Sequence, residues 1–264
     1  MTPASFFAEY PQEEIQIRQY AAKSPLFYRD LHMMAAVFAA DLETVRSLLP
    51  DGRYQPLRVA RTRALVAVHC FEYRDSDIGP YNELSLSVGV HFGGKRVASP
   101  AAILASIWKE EYHGYVSELP VTTEVALYGG LDFFNFPKYL AEISFAQEAE
   151  HRICRLRDRE SGELIVAFKG RALTSPGRVD KAKPPRPARM TLASYPQSDG
   201  KTLRARFALN LKDAARSWLR GHATLTPGTH PRAQLFRRLA LGRPIQYIFA
   251  PSCEAILFPP EIIP

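Results

Sequence analysis

Apolar runs in this chain are short, and turn-forming residues close most of them. The 21 prolines and 15 phenylalanines among 264 residues favour many turns and short strands over long helices. No apolar stretch reaches the ~20 residues that a transmembrane helix needs. Strands are expected over 32–39, 59–71, 84–90 and 112–119. A second series follows over 141–145, 151–157, 164–173, 190–195 and 202–211, with turns at 158–163 and at Ser198-Asp199-Gly200. Alternation over 216–224 reads as a further strand, and 245–249 and 254–258 complete the β content. Helices are expected to be few and short. One covers 13–22 and ends at Ser24-Pro25; another covers 42–49, capped by Asp41 and stopped at Pro50. A helical turn starts at Thr122 or Thr123 and runs through Glu124, and a last helix over 231–241 is opened by Thr229-His230-Pro231 and closed by Gly242. The stretch after Ser99-Pro100 fits either a helix with proline in its first turn or a strand.

The basic, proline-rich segment 176–187 (PGRVDKAKPPRP) has the composition of a linker, but strands resume at once after it. It reads as a surface loop inside one domain spanning 1–264, with 1–30 as an N-terminal extension. Hydrophobic content of 46% and charged content of 23% are ordinary for a globular chain with a sizeable core. Charge is divided unevenly. Residues 1–150 carry 13 Lys/Arg against 19 Asp/Glu, whereas residues 151–264 carry 21 against 8. The basic residues are dispersed along strands, with few aromatics interleaved, so neither a nucleic-acid surface nor a membrane surface is expected. An internal or intersubunit face that attracts acidic substrates fits better. The N-terminus lacks the basic start and apolar run of a signal peptide, which leads to the expectation of a cytoplasmic protein.

Cys70, Cys154 and Cys253 are widely spaced and contain no CxxC pair, so no disulfide framework or zinc finger is implied. The seven histidines never fall at HExxH or similar ligand spacing, and no metal site is expected. Gly89-Val-His-Phe-Gly93-Gly94-Lys95-Arg96 has the glycines and lysine of a phosphate-binding loop. Arg96 stands where the magnesium-binding hydroxyl would be, so the stretch reads as a Gly-Gly hairpin turn. There is no GxSxG elbow, no catalytic-cysteine signature and no internal repeat.

What remains is Gly129-Gly130-Leu131-Asp132-Phe133-Phe134-Asn135-Phe136-Pro137-Lys138-Tyr139-Leu140-Ala141. Two readings of Lys138 stand on residue types alone. Its stem lies on apolar surface with the charge in water, or its amine is enclosed by Phe133, Phe134, Phe136 and Leu140. In the second case desolvation favours the neutral amine, a nucleophile able to condense with a ketone and form an electron-withdrawing imine. Upstream, Gly79-Pro80-Tyr81-Asn82-Glu83 is a loop entering a strand, with Glu83 either in water on an edge or turned inward.

The pattern Gly-x-x-x-Phe-x-Phe-Pro-Lys-x-Leu-Ala resembles the active-site segment of the acetoacetate decarboxylase family, in which the lysine after proline forms the Schiff base. Gly-Pro-Tyr-x-Glu resembles the loop whose glutamate points into that active site. The resemblance runs loosely from about Phe27 to Phe258, and only these two segments are specific. It implies a closed β-barrel or cone with a few peripheral helices, assembled into a homo-oligomer and needing no cofactor. Lys138 would be the nucleophile and Glu83 a proton-transfer or orienting carboxylate. Phe134, Phe136 and Tyr81 would surround the substrate.

Three departures accompany it. Tyr139 stands where the family's second lysine follows the first, and becomes a candidate pocket acid. The second acidic residue of active decarboxylases would fall near Val68, with His69 and Glu72 as the nearby polar residues. The family's early arginine has no motif-anchored match, although Arg29 is close. The expected function is a Schiff-base-forming lyase acting on a small oxo acid, most simply a β-keto acid such as acetoacetate. An aldolase-dehydratase on a 2-keto acid through the same lysine, and a non-catalytic small-ligand binder, are the alternatives.

Overall fold

Side-chain alternation along two paired strands shapes the molecule. The computed structural model describes residues 6–93, 109–174 and 188–263. Its strands are β1 (Glu13–Ile17), β2 (Tyr20–Ser24), β3 (Leu26–Asp41), β4 (Tyr54–Pro56), β5 (Arg58–Ala60), β6 (Arg63–Ser76), β7 (Tyr81–Phe92), β8 (Glu111–Glu118) and β9 (Glu142–Glu148). They continue with β10 (His151–Arg157), β11 (Leu164–Arg171), β12 (Ala188–Ser194), β13 (Gln197–Ser198), β14 (Lys201–Ser217), β15 (Ala223–Pro227), β16 (Gln246–Leu257) and β17 (Glu261–Ile263). The helices among the described residues are α1 (Leu42–Leu48), α2 (Glu124–Phe134) and α3 (Ala233–Arg238).

Along β6, His69, Phe71 and Tyr73 face a central cavity, while Val68 and Cys70 enter a separate core. Along β7, Glu83, Ser85 and Ser87 face the cavity, and Leu84 and Leu86 join that other core. The period of two sends alternate residues to opposite faces, and here both faces are covered. The inner face belongs to a barrel: β7, β8, β12, β14, β16, β3 and β6 pair in that order, and β6 pairs back with β7 to close seven strands. Only the β8–β12 pairing is parallel in this ring. The outer face of β3, β6 and β7 is covered by a four-stranded sheet in the order β15-β11-β10-β9. Met34, Phe38, Val68 and Leu84 pack there with Leu156, Ile165 and Phe168.

Mainly β architecture with few short helices and a closed barrel agrees with the sequence expectation. Asp41 caps α1 as expected, its carboxylate accepting from the Thr44 N–H at 2.8 Å. Other boundaries differ. Residues 13–22 do not form a helix; they lie in the β1–β2 hairpin, where Ile17 pairs with Tyr20 across Arg18, whose φ is 52°. The alternation of Ile15 and Ile17 outweighs helix propensity once both find apolar neighbours. The strand expected over 216–224 is broken: β14 ends at Ser217, an exposed turn follows, and β15 starts at Ala223. The two closing strands are one, since β16 passes Pro251 through register shifts, and bulges tolerate proline in a strand. The last helix is shortened to α3, and the turn after Thr123 extends into the 11-residue α2. Ser99-Pro100, Gly94 to Arg96 and 176–187 lie outside the described residues.

Candidate active site

The lysine segment begins where α2 stops. Asn135 takes the left-handed conformation at φ 50°, and its N–H and that of Phe136 return to carbonyls of the last helical turn. Asparagine tolerates this cap better than most residues. The Lys138 N–H then donates to the Phe136 carbonyl at 2.7 Å, a three-residue turn centred on Pro137, whose fixed φ suits it. The chain thereby doubles back and lays the Lys138 stem across Gly130. A Cβ at Gly130 would lie 2.3 Å from Lys138 Cδ and 2.4 Å from Cε, so the path exists only because that residue has no side chain.

Backbone bonds bring this turn to β7. Val121 bridges to Glu83 on one side and to Leu140 on the other. The Val121 N–H donates to Tyr139 O and the Ala141 N–H to Val121 O, both at 3.0 Å. The result is a Lys138 Nζ 2.7 Å from Glu83 Oε2, with side chains only 8% and 9% exposed. A buried pair of this kind is at proton-transfer distance, and it leaves a charge unpaired if either partner is removed. The Tyr73 hydroxyl donates to Glu83 Oε1 at 3.2 Å. Tyr28 and Tyr81 share a hydrogen bond at 3.0 Å, and Nζ stands 6.0 Å from the Tyr81 ring centroid. Burial is the first cause that pushes all three phenols up, and the Glu83 charge adds to it. They stay protonated: Tyr73 donates to Glu83, and within the Tyr28–Tyr81 pair one hydroxyl donates to the other.

The pair opens into an apolar cavity of about 260 Å³ inside the barrel. Lys138, Glu83, Phe134, Phe136 and Tyr81 all line it. The two phenylalanines stack at 5.3 Å with an 8° angle. Tyr139 is placed elsewhere: it is absent from the cavity wall and lies under the Arg232 guanidinium, 4.0 Å from its ring centroid. Burial and then the Glu118 charge push its phenol up. In extended backbone, neighbours point to opposite sides, so the tyrosine after Lys138 cannot share its pocket. Of the polar residues near Val68, His69 lines the cavity, and burial lowers its imidazole to about 4. Glu72 faces the other way and is held by Arg152 at 2.6 Å. Arg29 also points outward, to Asp77 at 2.6 Å. Tyr73 and Tyr28 were not expected at the site. The signal for Tyr73 was continued alternation past Phe71, beyond the strand limit read from sequence; Tyr28 lies past register shifts on either side of Asp30, where the alternation of β3 breaks. Among the described residues, no cluster of three or more His, Cys, Asp or Glu could hold a metal ion, and no helix is long and apolar enough to cross a membrane.

A closed barrel with an enclosed lysine–glutamate pair at one end defines the class of protein. The chain belongs to the acetoacetate decarboxylase (ADC) family, whose sequence model matches residues 10–249. No curated protein sequence matches it. Among solved structures it is similar to acetoacetate decarboxylase from Legionella pneumophila subsp. pneumophila str. Philadelphia 1, with a TM-score of 0.62 and 17% identity over 91% of this chain and 87% of that one. It is also similar to the enduracididine biosynthesis enzyme MppR complexed with pyruvate, with a TM-score of 0.59 and 12% identity over 90% and 89% of the two chains. The same enzyme complexed with the condensation product of pyruvate and imidazole 4-carboxaldehyde gives a TM-score of 0.57 and 13% identity over 90% and 88%. At these identities the likeness is one of fold.

Proposed function

We propose that the protein is a Schiff-base-forming lyase that decarboxylates a β-keto acid, with Lys138 as nucleophile and Glu83 as proton carrier. The observation that carries this reading is the Lys138 amine ending inside an apolar cavity, 2.7 Å from a buried carboxylate. Glu83 accepts a proton from the ammonium, and the amine adds to the ketone carbon. The carbinol oxygen leaves as water after protonation, giving an iminium. The bond to the carboxylate carbon then breaks: CO2 departs and its electron pair flows to the iminium nitrogen as an enamine. The enamine carbon takes a proton, with Glu83 within reach as its source. Water hydrolyses the new iminium and frees ketone and lysine, so the cycle consumes one proton net. Among the described residues no arginine lines the cavity, and its cation apart from Lys138 is the exposed Lys23. A substrate carboxylate there is poorly solvated, and its loss as neutral CO2 relieves that penalty.

A second reading is favoured by one comparison. MppR has been solved with pyruvate and with a condensation product, and the same lysine could serve an aldolase-dehydratase. That chemistry retains the carboxylate, which a fixed cation would have to hold. Borohydride reduction separates the readings. With acetoacetate the expected product is an isopropyl group on Lys138, CO2 being already lost. With pyruvate under the second reading the adduct keeps its carboxylate. Lys138→Ala should give neither. A Lys138 peptide left unmodified by β-keto acids of every chain length and by pyruvate overturns both.

A further inference from the structure

The cavity is longer than acetoacetate requires. Seven strands ordinarily enclose an interior that side chains fill. Here the wall is built from small residues at matching heights. Ala67 of β6 pairs with Ser87 of β7, Gly89 of β7 pairs with Gly114 of β8, and all four line the cavity. Ala35 and Ser85 line it as well. From Glu83 to Gly89 β7 advances by six residue steps, about 20 Å of strand. The hollow therefore starts at the Lys138–Glu83 pair and continues along the barrel axis, with Val37, Leu57 and Leu65 at its far end.

Besides the pair, the charged side chain on the cavity lining is the exposed Lys23 of β2, in the hairpin whose Ile17 lies against Gly129 near the reactive end. Beyond the pair, the titratable groups facing this stretch are His69, Tyr112 and His113. Burial lowers both imidazoles, His69 to about 4, and raises the Tyr112 phenol. All three are neutral near pH 7. A second charged group at the far end of a ligand would have no partner, whereas methylene groups would lose only water contact.

From this geometry we infer that the substrate is a 3-oxo acid bearing an extended apolar tail, which runs along β7 past Ser85 and Ser87 to the Gly89–Gly114 pair. The assignment rests on the Schiff-base reading and adds the substrate class to it. The reactive carbonyl sits at Lys138, CO2 is lost there, and a long-chain methyl ketone is released.

The test is a series of acetoacetate, 3-oxohexanoate, 3-oxooctanoate and 3-oxodecanoate, followed by CO2 release and by borohydride trapping at Lys138. Burial of each methylene predicts an increase in kcat/KM of about fourfold until the cavity is full. Ser87→Phe narrows the middle of the cavity, and Ala67→Leu does so from the paired strand. Each should lower the ratio of kcat/KM for 3-oxodecanoate to that for acetoacetate by more than about tenfold, the loss of two or more buried methylenes. A flat wild-type profile with adducts still forming at Lys138 overturns the tail and leaves the Schiff-base reading intact. So does an unchanged length profile in both variants. No adduct with any member removes the Schiff-base reading, and the tail assignment falls with it.

Discussion

Lys138 reaches the cavity by passing through the space where a side chain at Gly130 would be. The obstacle to Gly130→Ala is the flexible lysine stem and not backbone, so the helix can accept alanine, a better helix former than glycine, while the lysine is displaced. The expected outcome is an unchanged or slightly raised Tm together with loss of the borohydride adduct at Lys138. A variant that unfolds, or one that traps ketone as the wild type does, contradicts this. The sequence made Lys138 and Glu83 legible because each sits in a short motif fixed by Pro137 or by Gly79-Pro80. It did not show why Gly130 matters, since the collision appears only once the turn at Pro137 folds the chain back. Nor did it separate Lys138 from Tyr139. Adjacent in sequence, they face opposite sides, and Tyr139 belongs to Glu118 and Arg232. Tyr73 was hidden by an early end to β6, and its hydrogen bond to Glu83 is what Tyr73→Phe would remove.

Among the elements, the four-stranded sheet over the outside of β3, β6 and β7 braces the wall that carries Glu83. Phe168 of β11 is fully buried in that contact. Truncation to alanine removes a large apolar surface and leaves a void, for which about 3–5 kcal/mol is expected. Denaturant titration of Phe168→Ala against wild type measures it; a loss below about 1 kcal/mol would mean that the sheet does not act as a packed layer. Most of these strands could be read from alternation and turn residues. The failures share a cause. In 13–22 the apolar residues fit either period, and only pairing across Arg18 and Gln19 decides for strand. At Pro251 the sequence suggests a stop, but register shifts within β16 let pairing with β3 and β14 resume beyond it. Which strands pair, and that β7 through β6 close on themselves, depends on contacts far apart in sequence that local patterns do not encode.

For the molecule as a whole, two buried histidines tie stability to pH. His69 faces the cavity, and burial alone lowers it to about 4. His32 lies between barrel and sheet, edge-on to Phe145 and Phe249, and is lowered to about 3 by burial first and then by Arg152 and Arg74. Its Nδ1 is 3.7 Å from a Glu72 oxygen, too far for a hydrogen bond, and Arg152 already holds that carboxylate, so the imidazole stays neutral. Both values lie below the unfolded reference of 6.5, so the unfolded chain binds protons that the folded one refuses. Their contribution is therefore complete above pH 6.5 and is lost as pH falls, through about 4 for His69 and about 3 for His32. Within that window each removes about 1.4 kcal/mol per pH unit. Carboxylates held low, such as Asp51 at about 2 beside Arg53, act in the same direction only further down the acid range. Urea denaturation at pH 7, 6 and 5 should give a wild-type slope that His32→Leu and His69→Leu each reduce, with a smaller remainder left to His113, which burial also lowers. A slope unchanged in both variants would place the acid sensitivity elsewhere, and would mean that these imidazoles exchange protons with water in the folded barrel.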